Sequence, residues 1–225
     1  MTRDELLKQM YDFTLVGNAP EVLSLTNEGL QMGMAPEEML FEALIPSLEE
    51  VGARFERGDF FVPEMLIAGK AMSGALAVLR PLLAETGVQT VGTFVMGTVK
   101  GDVHDIGKNL VNIMLEGAGF HVIDLGVQVG PEKFVEAVQQ YQPDIVGFSA
   151  FLTTTMPMFK ANINALEKAG LRDQVIVMVG GAPVTQEYAD AVGADGYASD
   201  ASAAVKRAKD LLGRRRAAAS ATAST

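Results

Sequence analysis

Across residues 85–90 the hydrophobic period of this chain changes, and that change limits what the chain can fold into. Ahead of it, apolar residues recur at helical spacing throughout. Thr2 stands as an N-cap with Glu5 three residues on, a capping-box pattern, and Leu6, Leu7, Met10, Phe13 and Leu15 follow on one face. A second helix is predicted over 20–32. A third, over 36–57, carries Met39, Leu40, Leu44, Leu48 and Val51, and Pro46 inside it is expected to kink it. A fourth starts at Pro63 and carries Met65, Leu66, Ala68, Met72, Ala75, Leu76 and Leu79. Four such helices joined by short Gly/Asn/Pro turns imply an up-down bundle.

Beyond the switch, short apolar runs rich in β-branched residues occupy 91–99, 122–125, 145–148 and 175–179, with a last strand near 196–198. Helical stretches at 106–118, 131–141, 155–169, 185–192 and 201–212 separate or follow them. Continuous apolar strands alternating with helices imply a parallel sheet covered on both faces. The expected fold is an N-terminal four-helix bundle over 1–86 and a C-terminal α/β domain over 91–213, flavodoxin-like (Rossmann-like) with five parallel strands. Residues 214–225 open with Arg214-Arg215-Arg216 and hold no large apolar side chain, so a disordered tail is expected there.

Ligands of an open α/β sheet bind in the loops at the carboxyl ends of its strands. The loop after the first predicted strand reads Gly101-Asp102-Val103-His104-Asp105-Ile106-Gly107. An Asp that takes one ring N–H of a His fixes its tautomer and leaves the other nitrogen free as a metal ligand. The plainer reading of Asp-x-His is a helix-capping Asp beside an exposed His. With no cysteine and only two histidines, the chain lacks the three or four ligands of a zinc site. A metal held by His104 needs most of its coordination from something else, such as a macrocycle. His121 opens a strand and reads as an ordinary strand-edge histidine.

Asp102-x-His104-x-x-Gly107, then Ser149-x-Phe151-x-Thr153, then Gly180-Gly181, resembles the cobalamin-binding signature Asp-x-His-x-x-Gly…Ser-x-Leu…Gly-Gly, with Phe151 in place of the usual Leu. Apart from its last dozen or so residues, the chain is similar to the free-standing corrinoid proteins of methylotrophic methyltransferase systems and to the cobalamin module of methionine synthase. The resemblance implies that His104 is the lower axial ligand of cobalt, displacing the cofactor's own benzimidazole, and that Asp102 hydrogen-bonds His104. It places Gly101, Val103, Asp105 and Ile106 in the same cofactor-binding loop. It implies that Ser149 and Thr153 line the slot for the displaced nucleotide tail, that Thr155 joins the Asp102 network, and that Gly180, Gly181 and Gly107 allow close backbone approach. Taken singly, Gly-Gly is a turn and the Ser/Thr run a helix cap. In the resembled family the bundle caps the upper corrin face, and the segment Gly58-Asp59-Phe60-Phe61-Val62-Pro63-Glu64-Met65 matches its Phe-Leu-Pro stretch. Phe61 and Met65, with Met72, are the candidate capping contacts, although Met and Phe at helical spacing are also ordinary core residues.

Formal charge is −10 and the isoelectric point about 4.7, a field that repels phosphate backbones and opposes nucleic acid as a partner. No run reaches about 18 continuous apolar residues, so no membrane span is expected. Met1-Thr2-Arg3-Asp4-Glu5 lacks the basic-then-apolar pattern of a signal peptide, and a cytoplasmic location is expected. The resemblance implies a corrinoid methyl carrier. It would take a methyl group from a substrate-specific methyltransferase and pass it to an acceptor methyltransferase serving tetrahydrofolate or a thiol, with a reductive activation protein as a further partner. Two other holders of the same module stay open: the cobalamin subunit of an adenosylcobalamin mutase, which predicts no bundle, and a cobalamin-sensing regulator, which predicts an output domain. On any of these readings the chain is a carrier or binding subunit rather than a catalyst alone.

Overall fold

The computed structural model describes residues 1–86 and 90–223, and its described residues form two compact units: 1–86 and 90 with Glu116–Gly119, and Val91–Leu115 with 120–223. Residues 87–89, within the expected junction, lie outside the described residues.

The first unit is helical. Helix α1 (Arg3–Leu15) carries the anticipated capping box: Glu5 N–H donates to Thr2 Oγ1 at 3.2 Å and Thr2 N–H to Glu5 Oε2 at 2.8 Å. It buries Leu6, Leu7, Met10 and Leu15; Phe13 is only half-buried. Thr14 is buried instead, its hydroxyl satisfied by the Met10 carbonyl at 2.7 Å. Asn18 caps α2 (Ala19–Gln31). The third helix is interrupted. One turn, α3 (Pro36–Met39), leads into a π turn over Leu40–Leu44 before α4 (Ile45–Arg57). Pro46 has no N–H to offer the Glu42 carbonyl, and its ring crowds that oxygen in a regular helix. The wider turn, in which Ile45 N–H reaches back to Leu40 O, relieves the crowding, so the expected kink takes the form of a π turn.

Helix α5 (Val62–Thr86) packs against α1, α2 and α4. Over Val62–Leu83 it is long and apolar enough to cross a membrane by length and composition alone, although Glu64, Lys70 and Arg80 interrupt the run. Those interruptions keep any continuous apolar run in it short of 18 residues, as expected from the sequence. Met65, Ala68, Ala71, Met72, Ala75, Leu76 and Leu79 are buried, which makes α5 the central helix of the bundle.

The second unit is a five-stranded parallel sheet in the order β2-β1-β3-β4-β5, the flavodoxin-like order. Its strands are β1 (Thr93–Thr98), β2 (His121–Asp124), β3 (Ile145–Ser149), β4 (Ile176–Gly180) and β5 (Gly196–Ala198). Helices α6 (Ile106–Gly117), α7 (Pro131–Tyr141), α8 (Pro157–Lys168), α9 (Gln186–Val192) and α10 (Ala201–Ala223) alternate with them. Val95, Val146 and Val177 are buried in its centre, with Phe148 edge-on to Phe134 at 4.7 Å between ring centroids. Gly97 makes room for that ring, since a Cβ there would lie 2.9 Å from Phe134 Cζ. The register aligns Thr98, Ser149 and Gly180 across three strands, so the loops that follow them leave the sheet side by side.

Two expectations need correction. The eighth helix starts at Pro157 rather than residue 155, because the chain first makes a turn through Thr155. Arg214 to Ala223 is not a disordered tail but continues α10. Alanine and arginine are strong helix formers, and Arg214 Nε donates to Asp210 Oδ1 one turn back at 2.9 Å while Arg215 donates to the Asp173 carbonyl at 2.7 Å. Residues 224–225 lie outside the described residues.

Candidate corrinoid site

The loop after β1 turns at Gly101, whose φ of +86° suits glycine, and delivers Asp102 into the interior. No part of Asp102 is exposed. Its Oδ1 accepts the His104 N–H at 3.0 Å and lies 2.8 Å from His104 Nδ1. Its Oδ2 accepts the main-chain N–H of Phe151 at 2.8 Å and of Leu152 at 3.1 Å. The Thr155 hydroxyl stands 2.8 Å from that oxygen and 2.8 Å from the Leu152 carbonyl. Burial alone would raise the Asp102 pKa. The donors from His104, Phe151 and Thr155 overcome it and hold the carboxyl well below the usual range. Asp102 is therefore an anion at neutral pH and caps no helix, so the plainer reading of the motif does not hold. Asp105 occupies the position ahead of α6, its Oδ2 accepting from Asn109 Nδ2 at 3.1 Å.

Because an ionised carboxylate accepts only, Nδ1 of neutral His104 carries the proton and Nε2 keeps its lone pair. The side chain is 45% exposed and its ring stacks on Phe151 at 4.4 Å between centroids. Thr98 Oγ1 donates to the His104 carbonyl at 3.1 Å, and Gln128 N–H donates to the Asp102 carbonyl at 3.1 Å. Thus one residue, Asp102, ties together the loops after β1, β2 and β3.

The loops at this end of the sheet expose several apolar side chains. Val103 and Ile106 on the His104 loop, Val127 after β2, and Phe151 and Leu152 after β3 are all exposed. Solitary exposed apolar residues are ordinary, but five at the ends of three adjacent strands form a platform. Gly107 faces open space, with no atom within 4 Å of where a Cβ would stand. Gly181, at φ +133°, is required within the fold itself: its Cβ would fall 1.8 Å from the Ala150 carbonyl oxygen, so it serves the approach of two backbones. At Gly180 the nearest atom is the Ala198 carbonyl oxygen at 3.3 Å. Ser149 ends β3 half-buried, its carbonyl accepting Val99 N–H at 3.0 Å, and Thr153 is exposed in the turn that follows.

Of the capping candidates in the helical unit, Phe61 is 65% exposed, whereas Met65 and Met72 are buried. Sequence reasoning missed Thr98, Gln128 and the main-chain amides of Phe151 and Leu152. A main-chain donor leaves no residue-type signal, so only Thr98 could have been suspected, as a hydroxyl at a strand end. Among the described residues no three His, Cys, Asp or Glu side chains group to hold a metal ion unaided. One free imidazole nitrogen on an apolar platform, with clearance at Gly107, fits a flat macrocyclic ligand that brings its own metal.

The B12 binding domain family model matches residues 92–206, and a second B12 binding domain model matches residues 6–80. The chain belongs to the B12-binding family of corrinoid proteins. It is 43% identical to the dimethylamine corrinoid protein of Methanosarcina barkeri over 213 residues, 94% of this chain and 100% of that one. It is 43% identical to the trimethylamine corrinoid protein of the same organism over 190 residues, 84% of this chain and 88% of that one. Among solved structures, the methanol:cobalamin methyltransferase complex of Methanosarcina barkeri matches with a TM-score of 0.82 at 28% identity, covering 94% of this chain and 81% of that chain.

Proposed function

We propose that this chain is a corrinoid methyl carrier that holds its cofactor through His104 and serves two methyltransferases in turn, one methyl-donating and one methyl-accepting. The observation that carries the reading is the Asp102–His104 pair, at 2.8 Å, with an exposed imidazole on an apolar platform. When bound, the corrinoid supplies the cobalt that takes up and gives away the methyl group. The chain's own residues do the holding. His104 would hold the metal through Nε2, and Asp102 fixes the tautomer that leaves that nitrogen free. Val103, Ile106, Val127 and Phe151 would exclude water from the bound macrocycle. Ser149, Thr153, Gly180 and Gly181 border the slot for the displaced nucleotide tail, and Phe61 is the capping contact in the helical unit.

The names of the relatives support a carrier over a mutase subunit or a regulator, and favour a methylated amine as methyl source. The structural likeness to the methanol:cobalamin methyltransferase complex supports a methyltransferase partner. An acceptor methyltransferase serving tetrahydrofolate or a thiol, and a reductive activation protein, complete the proposed set of partners.

The test is an absorption spectrum of the protein reconstituted with hydroxocobalamin, beside His104→Ala. Stoichiometric uptake with base-off, His-on features that change in the variant is expected. A wild type that retains no corrinoid overturns the reading, and an unchanged spectrum in the variant removes His104 as the ligand.

A further inference from the structure

Lys108, on the first turn of α6, is buried, and the proposed cofactor binding makes no use of it. A buried ammonium is costly unless paired and hydrogen-bonded. Its Nζ donates to Asp124 Oδ2, at the end of β2, and to Asn109 Oδ1 at 2.7 Å. The other oxygen of Asp124 accepts the Gly126 N–H at 2.8 Å. The Gly126 carbonyl in turn accepts the Thr98 N–H at 2.9 Å, and Thr98 Oγ1 donates to the His104 carbonyl. Two residues on from Gly126, Gln128 bonds the Asp102 carbonyl from a backbone φ of +55°. The other described non-glycine residue with positive φ, Gln142, ends helix α7, which accounts for its conformation. Gln128 ends no helix. Its strained backbone sits beside the site and is held by neighbours.

We infer that Lys108 and Asp124 are positioning residues, a charged clasp that pins the loop after β2 against the loop carrying Asp102 and His104. Through Gly126 and Thr98 the clasp fixes the main chain that aims the imidazole, and through Gln128 it fixes the main chain of Asp102. It rests on the reading of His104 as cobalt ligand only for its second measurement.

The test uses the full chain with Lys108→Met and Asp124→Leu combined, which removes both charges and leaves no unpaired buried ion. In the protein without corrinoid, amide hydrogen exchange at Thr98, Gly126 and Gln128 should quicken by about tenfold or more, while the amides of β3 and β4 keep their protection. In the protein loaded with hydroxocobalamin and reduced to Co(II), the nitrogen splitting from His104 in the paramagnetic resonance spectrum should weaken. Wild-type exchange at the three amides overturns the clasp. So does a uniform quickening across the sheet, the mark of lost stability alone, and so does an undiminished nitrogen splitting. Should the paired variant not fold, Lys108→Met, which leaves only the partly exposed Asp124 carboxylate unpaired, is judged by the same readings. If local exchange quickens but even the wild type takes up no corrinoid, the clasp stands and the corrinoid reading falls.

Discussion

Asp102 concentrates the consequences that belong to single residues. Replacing it by Ala strands the main-chain N–H groups of His104, Phe151 and Leu152, at about 1–3 kcal/mol per buried unpaired group. Chemical denaturation of Asp102→Ala should show a loss of about 3 kcal/mol or more, and Thr155→Val a smaller one. The Asp102 pKa is depressed in the folded protein, so its contribution is fully present above the unfolded value of about 3.9 and is lost as pH falls through the depressed one. The stability gap between wild type and Asp102→Asn, measured without corrinoid by urea unfolding, should therefore be constant near neutrality and close as acid is added below about pH 4. At Gly181, alanine meets both a left-handed backbone and the Ala150 carbonyl oxygen, and a melting experiment should register a cost on the order of 3 kcal/mol or more. The spacing of Asp102 and His104 was legible in the sequence because both are side-chain groups. The acceptor role of Asp102 toward the chain beyond β3 was not, because peptide N–H groups are common to nearly every residue.

At the scale of elements, the strands were legible because Val, Ile and Phe runs bounded by Gly and Asp suit a sheet buried on both faces. Their parallel arrangement followed from the alternation with helices. Element ends were less legible where a side chain overrides propensity. Thr155, bonded to Asp102, delays α8 by a turn that no helix scale anticipates, and Pro46 is answered by a π turn one step ahead of it. The extension of α10 shows the opposite failure: a segment with nothing to bury stays helical on propensity. Its contacts are exposed and worth little, so deleting residues 214–225 should change stability by under about 1 kcal/mol in thermal denaturation. By contrast Phe134→Ala, in the centre of the sheet's core, should cost about 3–5 kcal/mol in the same measurement.

At the scale of the whole molecule, charge and chemistry are unevenly shared. Residues 1–86 carry 14 carboxylates against six Lys and Arg, whereas the rest of the chain is close to balanced, with 14 against 12. The residues that converge on Asp102 and His104 all lie in the sheet unit. A chain of residues 91–225 is thus expected to fold, as read by circular dichroism, and to take up hydroxocobalamin with the wild-type axial-ligand spectrum; a fragment that stays unfolded would show that the sheet unit depends on the bundle. The Asp102 network also bears on how such a protein can diversify. Because its reach beyond β3 ends largely on peptide N–H groups, the side chains at 151 and 152 are free of it, and Phe151 stands where the family signature has Leu without disturbing a single one of those bonds. Substitutions at 151 and 152 can therefore reshape the apolar surface while the hydrogen bonds of Asp102 beneath it stay intact.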